Sequence, residues 1–564
     1  MASTSLPTAT TAAPFAAPVA APIAASPPCT GAAEVASLPA PTKDHVDPTW
    51  LSAALSLPAT AVASVAVRPF AGGFSPIVKA RLDVTYTDAS RAPHGADFGA
   101  DPCDSSNRPR SLFMKLLPPP PDTSAGATAQ EHQLGDAILA MVKQAHRVEA
   151  AFYTLAMAPR SRHVAAVVPR AYHANPDQAI LLADVSCCPT ATPTATTAPV
   201  SEPGAAAELG NEAGYEVLSA WSMELTEGPD VERDALLATV RALAVLHTAD
   251  SSPAASSTVT GTVAAAGAAA ATAAGSAVAV ATAAGAVAGA GVPGAGEVQG
   301  AVSGTVNQLL TWDELIESRA ARVMIPVEHS ADKLAALMLQ FATRFCPADA
   351  EPGSALHALC AASARVGYAG LMRAITLPPV TLPSAAHPAS DRSEISSGTS
   401  RLGGILHGDP NPGNVLYHRG KNEALLIDFQ DTAAGAPGVV DLARLLLSSL
   451  QPVSRAGREE EVVEAYLKNY EKCYQEQRKE QQEQEPQQEQ QPPLLHLSVS
   501  LFKRDLLLAM LGDAMMIMAS VGFTLDARGP ALLYALGERS VMCVRDHCKE
   551  MLAAVEEVSA GGNC

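Results

Sequence analysis

Aromatic and charged side chains are scarce in this sequence: of 564 residues, 4% are aromatic and 17% are charged. Both fractions are low for a globular chain, because long stretches consist mainly of Ala, Gly, Pro, Thr or Gln. Such stretches exclude a chain that is globular throughout. The remaining roughly 300 residues are still enough to bury a sizeable hydrophobic core.

Positive charge is also scarce, since 38 Lys and Arg residues against 57 Asp and Glu residues give a formal net charge of −19. A nucleic-acid partner requires a basic face for the phosphate backbone, so this balance argues against DNA or RNA binding. No run of basic residues suggests attraction to an anionic membrane. A local positive pocket for a nucleotide remains compatible with this composition.

Cysteine is infrequent, with ten residues in the chain and no Cys-x-x-Cys pair. Cys543 and Cys548 flank His547, but no second pair of ligands follows them in the sequence. The sequence therefore predicts no zinc site, and its low cysteine content suits a reducing compartment.

Targeting signals are missing from the N-terminal stretch 1–41, which is rich in Ala, Pro, Thr and Ser. It has neither the charged start and apolar run of a secretory signal nor the arginines of a transit peptide. We therefore expect a disordered tail at 1–44 and a cytoplasmic protein. An organelle address in this tail is the alternative.

Membrane-spanning runs are not expected either. Residues 251–296 carry no charge but lack the large apolar side chains that a hydrocarbon core favours. Residues 506–523 are richly apolar, yet Asp513 interrupts them, and Arg504 and Asp505 immediately precede them. The sequence predicts a flexible insert in the first case and a buried core helix in the second.

Alternating apolar residues predict an N-terminal sheet of five strands, with a helix between the third and fourth strands. A short helix around Trp50 precedes this sheet. The predicted strands and helix lie, in order, at 62–68, 77–87, 111–117, 138–155 (the helix), 164–171 and 178–185. The helix is predicted because apolar residues recur at helical spacing from Ile138 to Leu155.

After Ser186 the apolar pattern becomes helical. Helices are predicted at 231–247, 311–323, 331–345, 355–375, 440–450, 459–474, 501–521 and 530–558. The sequence thus predicts an α+β fold with an N-terminal lobe at 45–186 and a mostly helical C-terminal lobe at 187–560. Composition predicts disordered inserts within the second lobe at 251–305, 377–401 and 475–493.

One short segment carries the clearest functional pattern. It runs His407-Gly408-Asp409, then Asn414, and a predicted β-hairpin follows and ends at Asp428. This hairpin would present three polar side chains together. Asx-rich turns are common in hairpins, which is the plain structural alternative. The spacing and the flanking strands favour catalysis.

Phosphoryl transfer needs such a set of side chains, because its transition state spreads negative charge and demands positioning and electrostatic stabilisation. A carboxylate must orient the attacking hydroxyl and accept its proton, a role that we assign to Asp409. Mg²⁺ takes oxygen ligands, and Asn414 and Asp428 offer an amide oxygen and a carboxylate. The predicted catalytic residues are Asp409, Asn414 and Asp428, the last two as metal ligands.

The spacing resembles the kinase catalytic loop, His-Arg-Asp-x-x-x-x-Asn, followed by an Asp-Phe-Gly turn. The middle glycine and the Asp-Phe-Gln ending look instead like the aminoglycoside phosphotransferase and choline kinase superfamily, in particular its CHK-type, ecdysteroid-kinase-like branch. The resemblance implies a bilobal protein-kinase-like fold, ATP and Mg²⁺ as cofactors, and a small-molecule hydroxyl as acceptor. The superfamily's acceptors include choline, ethanolamine, aminoglycosides, sugars and steroids.

The same resemblance assigns roles to further residues. Lys115 on the third strand would contact nucleotide phosphates, and Glu149, within a Glu-x-x-Phe-Tyr pattern, would pair with this lysine. Asp184 and Val185 lie in the segment that resembles the link between the lobes, whose backbone would hold adenine. Asp441 resembles an aspartate that supports the catalytic loop.

Two weaker features remain. The turn between the first two strands contains Gly72, Gly73 and Ser75, whose backbone N–H groups would cradle phosphate. This turn lacks the Gly-x-Gly-x-x-Gly pattern, so an ordinary hairpin turn is the alternative. The helix that ends near His247 resembles the family's Leu-Ala-x-Leu-His helix, and we expect a packed histidine there.

Two other functions stay open. The divergent glycine turn and the long inserts suggest a kinase-fold protein that binds nucleotide with little or no turnover, although the intact set of Asp409, Asn414 and Asp428 argues against it. A protein kinase is disfavoured, because no Ala-Pro-Glu motif or activation loop follows Asp428 before Asp441 begins a helix.

Overall fold

The structure is a computed structural model, and it describes residues 40–69, 77–87, 109–118, 129–158, 161–185, 215–217, 232–249, 309–324, 327–375, 404–484, 499–521 and 531–561. Most of the predicted tail, the predicted inserts at 251–305 and 377–401, and the turn with Gly72, Gly73 and Ser75 lie outside these residues.

The N-terminal lobe is built on a five-stranded antiparallel sheet with the strand order β1-β2-β3-β5-β4. Its elements are α1 (Pro48–Ala54), β1 (Val62–Pro69), β2 (Val78–Tyr86), β3 (Ser111–Leu116), α2 (Ala129–Ala156), α3 (Arg162–Ala165), β4 (Ala171–Ala174) and β5 (Ala179–Ala183). The predicted strand count and the position of the helix between the third and fourth strands are confirmed.

The two faces of this sheet pack into different cores, because side chains alternate between faces along a strand. One face packs under α1, where Trp50, Leu82 and Met114 are fully buried in a small core. Ile180 and Leu182 on the opposite face join the main core, which continues into the C-terminal lobe. Lys79 and Lys115 alternate with the residues of the first face, so they lie on the side of the sheet that meets the second lobe.

The fourth strand is displaced from its predicted position. Residues 164–171 contain the end of α3 and a turn, and β4 begins only at Ala171. Val164, Val167 and Val168 recur at helical spacing, and all three are buried. A short apolar run is compatible with either a strand or a helical turn, and tertiary packing selects the turn here.

Helices dominate the C-terminal lobe, as the pattern predicts. They are α4 (Arg233–Thr248), α5 (Trp312–Met324), α6 (Ala331–Phe345), α7 (Ala355–Ala374), α8 (Val439–Ser449), α9 (Pro452–Gln484), α10 (Val499–Val521), α11 (Ala531–Asp546) and α12 (Cys548–Ala560). The stretch predicted as one final helix is therefore two helices that meet at His547. Helix α10 is mostly buried from Asp505 to Val521, with Asp513 inside this stretch, as expected for a core helix.

Helix α9 extends to Gln484, well into the Gln- and Glu-rich tract predicted as an insert. Gln, Glu and Lys are good helix formers, so propensity supports this continuation. Contacts also hold it: Gln477 Nε2 donates to Thr248 Oγ1 at 3.0 Å, and Glu480 lies 2.8 Å from His163 Nε2. The rest of the predicted insert, from residue 485 to residue 493, lies outside the described residues.

Short strands carry the predicted functional segment. They are β6 (Glu216–Val217), β7 (Leu310–Thr311), β8 (Ile405–Leu406), β9 (Val415–His418), β10 (Glu423–Leu426) and β11 (Ala433–Ala434). Strands β9 and β10 form the predicted antiparallel hairpin. A five-stranded sheet with one long helix, followed by a mostly helical lobe with this hairpin, gives the α+β, bilobal kinase-like architecture.

Membrane spans were not expected from the pattern of apolar runs. Among the described residues, no helix combines the length and the apolarity needed to cross a bilayer.

Aromatic packing joins the hairpin to α2. The Phe429 ring stacks on the Phe152 ring with a centroid distance of 3.6 Å and an interplanar angle of 14°. Both side chains are fully buried, and Tyr153 meets Phe429 edge-on at 5.7 Å. This cluster holds the N-terminal lobe's helix against the end of the β9–β10 hairpin.

We expect Phe152→Ala to lower the free energy of unfolding by about 3–5 kcal/mol, because the substitution removes a fully buried ring and leaves a cavity. Urea denaturation followed by circular dichroism measures this loss. Met157→Ala, at a largely exposed site just after the same helix, is the matched control and should change stability by less than about 0.5 kcal/mol. Equal losses in the two variants would contradict the packing role of Phe152.

Candidate active site

The predicted catalytic loop leaves β8 and enters a 3₁₀ turn at Pro412–Asn414 before β9 begins. The Asn411 side chain caps this turn by accepting from the Gly413 N–H at 2.8 Å. Asn414 Nδ2 donates to the Asp409 carbonyl at 2.9 Å and lies 3.3 Å from its carboxylate. Ile427 N–H donates to the Asn414 carbonyl at 3.0 Å. The structure thus brings Asp409, Asn414 and the segment with Asp428 together.

The middle residue of His407-Gly408-Asp409 must be glycine in this fold. Gly408 has φ +90°, a conformation that favours glycine. A Cβ atom there would lie 2.1 Å from the Asp431 carbonyl oxygen, which is closer than any van der Waals contact. The Gly408 carbonyl in turn accepts a hydrogen bond from buried Arg319. The loop therefore passes directly against the chain that follows the hairpin.

Asp441 anchors the start of the loop. It is fully buried, and its carboxylate accepts from the His407 N–H at 2.7 Å and from the Gly408 N–H at 2.8 Å. His247 Nε2 approaches the same carboxylate at 2.9 Å, and the Tyr466 hydroxyl lies 2.8 Å from His247 Nδ1. Burial alone would raise the pKa of Asp441, but these hydrogen bonds and the His247 and His407 rings lower it. The predicted support of the loop by Asp441 is present in the geometry.

His407 makes backbone contacts rather than facing a reactant. Its Nε2 donates to the Ile427 carbonyl at 3.0 Å, and its Nδ1 accepts from the Asp409 N–H at 3.2 Å. Burial lowers the pKa of His407, which favours the neutral ring that this pattern requires. The ring therefore fixes the loop relative to the strand that precedes Asp428.

A buried ion cluster connects the sheet, α2 and the hairpin. Lys115 Nζ lies 2.6 Å from Glu149 Oε1 and 2.8 Å from Asp428 Oδ1. Lys115 and Glu149 are almost completely buried, and the second oxygen of Glu149 has no hydrogen-bond partner among the described residues. Asp428 has φ +69°, a strained conformation for a non-glycine residue that the surrounding contacts enforce. The predicted partners Lys115 and Glu149 are thus in contact.

Burial and neighbouring charges shift the pKa values of this cluster in opposite directions, and the outcome differs from residue to residue. Burial opposes the charged form of Lys115, yet the Asp428 and Glu149 carboxylates raise its pKa. Burial raises the pKa of Glu149, with Lys115 opposing this shift. Burial would also raise the pKa of Asp428, but Lys115 and Lys79 outweigh it and lower that pKa. Asp428 is therefore the carboxylate of the pair that favours ionisation.

Asp409 is held by a guanidinium from α8. Arg444 Nε donates to Asp409 Oδ1 at 2.8 Å, and its Nη1 lies 3.3 Å from Asp513 Oδ2 on α10. The Asp409 side chain keeps 21% of its surface exposed, which leaves it accessible from solvent. Burial raises the pKa of Asp513, and the contact with Arg444 opposes that shift. The orientation of Asp409 thus depends on helices α8 and α10.

Two arginines of α5 stabilise the segment that follows the hairpin. Arg322 on α5 binds Asp431 in a bidentate manner, with both N–O distances at 3.1 Å, and Arg319 lies 3.8 Å from the same carboxylate. Burial alone would raise the pKa of Asp431, but Arg322 and Arg319 outweigh it and lower the pKa to about 2. This pairing holds Asp431 against Gly408.

We expect part of the protein's acid sensitivity to come from Asp431. Because its pKa is lower when folded than the value of about 3.9 in an unfolded chain, the unfolded state binds more protons. The stabilisation is therefore complete above about pH 4 and is lost as the pH falls through about 2. In urea denaturation, the advantage of the wild type over Asp431→Asn should narrow by about 1 kcal/mol between pH 5 and pH 3.

Arg322→Gln removes the bidentate partner of Asp431. The stability advantage of the wild type over this variant should therefore also narrow between pH 5 and pH 3, by a smaller amount. Parallel pH curves for the wild type and Asp431→Asn would contradict the assigned pairing.

Asp184 and Val185, predicted to border adenine, follow the end of β5. The Asp184 carboxylate is engaged in the lobe itself: it lies 2.6 Å from Arg81 Nε and accepts from the Ser111 hydroxyl at 2.7 Å. This side chain links three strands. A contact of this segment with a nucleotide would come from its backbone, as the resemblance implies, and stays a prediction.

Sequence reasoning missed Lys79, Arg444 and Asp513. Lys79 on β2 is the register partner of Lys115, and its Nζ lies 3.9 Å from Asp428 Oδ2. A signal for Lys79 exists in the sequence, since basic residues at 79 and 81 alternate with apolar residues on a predicted strand. No comparable signal exists for the pair of Arg444 and Asp513, whose contact joins two separate helices.

A third group of polar residues lies elsewhere. This group contains potential metal-ligand atoms of Glu459, Cys543 and His547, which lie within 4.8 Å of one another. The sequence did not indicate that Glu459 of α9 lies beside the other two residues. Glu459 is already 2.9 Å from His547 Nε2 and 3.8 Å from buried Arg455. Burial raises the pKa of the Cys543 thiol to about 12, which favours the neutral thiol beside this ion pair. We interpret Glu459 and His547 as a partly buried ion pair beside the buried Cys543 thiol.

Residues 398–491 match a family model, DUF1679. The family is described as "Uncharacterized oxidoreductase dhs-27". The matched segment contains the catalytic loop, the hairpin, α8 and α9, and it lies entirely after Lys115 and Glu149 in the chain. A search of curated proteins gave no significant match.

Proposed function

We propose that this protein is an ATP- and Mg²⁺-dependent phosphotransferase that phosphorylates a hydroxyl group of a small molecule. The observation that carries the proposal is the contact of Lys115 with both Glu149 and Asp428, next to the loop of Asp409 and Asn414. A buried ammonium held by two carboxylates at the junction of two lobes suits the binding of nucleotide phosphates.

The proposed reaction assigns the base to Asp409. The acceptor hydroxyl gives its proton to the Asp409 carboxylate as its oxygen bonds to the terminal phosphorus of ATP, and the bond from that phosphorus to the ADP oxygen breaks. Arg444 and Asn414 orient the carboxylate, and its exposed surface leaves room for the acceptor. No covalent enzyme intermediate is required.

The side chains present suit Mg²⁺, a hard cation that prefers oxygen ligands. Asp428 is ionised because Lys115 and Lys79 lower its pKa. The Asn414 amide donates through Nδ2 to the Asp409 loop, which orients its oxygen away from these partners. Asn414 and Asp428 would hold the ion, which would compensate phosphate charge during transfer.

The acceptor would bind beside Asp409 in the C-terminal lobe. Helix α5 reaches this region through Arg319 and Arg322, and α10 reaches it through Asp513. We infer a small acceptor rather than a protein substrate, because residues 429–438 lead directly from the hairpin to α8 and leave little chain for an activation loop. A cytoplasmic location, consistent with the low cysteine content, is part of this proposal.

We further propose membership of the CHK-type branch of the aminoglycoside phosphotransferase and choline kinase superfamily, on the order of the motifs from Lys115 to Asp441. The name of the matched family raises oxidoreductase activity as a competing function. What favours phosphoryl transfer is the set of carboxylates, amide and ammonium just described, because these groups serve charge stabilisation and proton transfer.

The deciding experiment is Mg²⁺-dependent ATP turnover against a pooled panel of hydroxyl metabolites, with Asp409→Asn as the matched variant. We expect phosphate transfer to at least one acceptor, a loss of at least about 100-fold in the variant, and equal ATP affinity in both proteins, because general base catalysis contributes about that much. NADH and NADPH absorbance, recorded in parallel, tests the competing oxidoreductase activity.

Equal ATP affinity without transfer by either protein would favour a kinase-fold protein that binds nucleotide with little turnover. Failure of the wild type to bind ATP would contradict the proposed function. Phosphorylation of a protein serine, with no small acceptor, would contradict the assigned substrate class.

We expect Arg444→Gln to lower kcat by about tenfold to a hundredfold while the Kd for MgATP stays unchanged, because the guanidinium positions Asp409 and has no nucleotide role. Steady-state kinetics and calorimetric ATP binding separate the two effects. Arg365→Gln on an exposed part of α7 is the control and should leave both constants unchanged. A parallel loss of ATP affinity in Arg444→Gln would argue against positioning.

A further inference from the structure

Lys79 places a second ammonium group at the candidate nucleotide site. It lies on β2 directly opposite Lys115 on β3, so both side chains leave the same face of the sheet, the face that meets the C-terminal lobe. Lys79 Nζ is 3.9 Å from Asp428 Oδ2, while Lys115 Nζ is 2.8 Å from Asp428 Oδ1. Two lysines therefore converge on one carboxylate.

The two lysines differ in the number of hydrogen bonds that their ammonium groups make. Lys115 makes direct hydrogen bonds to Glu149 and Asp428. Lys79 has 16% of its side chain exposed, and within the described part of the chain its polar contact is the loose ion pair with Asp428. An ammonium has three donors, and a mostly buried one without hydrogen bonds is costly unless a ligand supplies acceptors.

The position of Lys79 also carries a cost within the sheet. Like charges directly opposite each other in an antiparallel pair destabilise it. Neutralising Asp428 does not require Lys79, because Lys115 already binds that carboxylate. An apolar residue at this position would relieve the repulsion, so the retained charge fits a role in binding an anion.

We propose that Lys79 binds the phosphates of a nucleoside di- or triphosphate together with Lys115, as a second lysine contributed by β2. This inference rests on the proposed function, since it assigns a residue to the same nucleotide site. Lys115 already has two carboxylate partners, Glu149 and Asp428, whereas Lys79 shares only Asp428 among the described residues. A polyphosphate brings additional negative charge, and Lys79 has the donors left to bind it.

The test compares ATP with adenosine, which shares the base and ribose but has no phosphate. Calorimetric titration of Lys79→Met should show ATP affinity reduced by about tenfold to a hundredfold, because a charged hydrogen bond is lost, and unchanged affinity for adenosine. Lys79→Arg should retain most of the ATP affinity. Lys143→Met, an exposed lysine on α2 of the same lobe, is the control and should bind both ligands like the wild type.

A purely structural role predicts the opposite pattern. It would lower the melting temperature of Lys79→Met without ligand and weaken adenosine binding as well, whereas we expect a melting temperature at or above that of the wild type. Wild-type affinity for ATP in a folded Lys79→Met variant would overturn the inference while leaving the proposed function intact. Failure of the wild type itself to bind ATP would overturn the proposed function, and this inference with it.

A second measurement needs no variant. In the wild type, modification of lysines by an amine-reactive reagent, quantified by mass spectrometry, should slow severalfold at Lys79 when ATP is present and should not change with adenosine. Lys143 serves as the internal control. Equal modification of Lys79 with ATP and with adenosine would overturn the inference.

Discussion

The contact of Lys115 with Glu149 and Asp428 is the constraint on which the rest of this structure depends. It joins β3, α2 and the end of the β9–β10 hairpin at one buried point. Burying these charges is favourable only when they are paired, because an isolated charge in the protein interior is strongly destabilising. The stacked rings of Phe152 and Phe429 lie beside the same junction, because Phe429 directly follows Asp428 and its N–H donates to Glu149 Oε1 at 3.4 Å. The two lobes therefore fix the relative positions of these side chains.

A second buried network holds the predicted catalytic loop through its backbone at His407 and Gly408. Asp441 accepts from two successive backbone N–H groups, and His247 and Tyr466 extend the chain of hydrogen bonds into α4 and α9. The network around Lys115 contains ammonium groups that suit the binding of phosphates. The network around Asp441 contains no ammonium group and orients the backbone of the loop. Asp441 has no exposed surface, whereas the Asp409 side chain, which Arg444 holds, remains 21% exposed.

Much of the fold was predictable because its signals are local. Strand alternation, helical spacing and the hairpin's polar turn indicate the five-stranded sheet, the helical lobe and the pairing of β9 with β10. The position of β4 was not predictable, because Val164, Val167 and Val168 fit a helical turn as well as a strand. The motif predicted Asp409 and Asn414 as neighbours, whereas the contacts of Arg444 and Arg322 depend on how separate helices pack, which no local pattern encodes.

Lys115 and Asp428 are 313 residues apart in the chain, yet they form one hydrogen bond. Closing a flexible loop costs entropy that grows only with the logarithm of its length, so a doubling adds about 0.6 kcal/mol. Lengthening the chain between these residues therefore has little thermodynamic effect on their contact, provided that the added residues leave both lobes intact. In evolutionary terms, such a topology tolerates insertions between its lobes and within its second lobe, while the geometry around Asp428 is preserved.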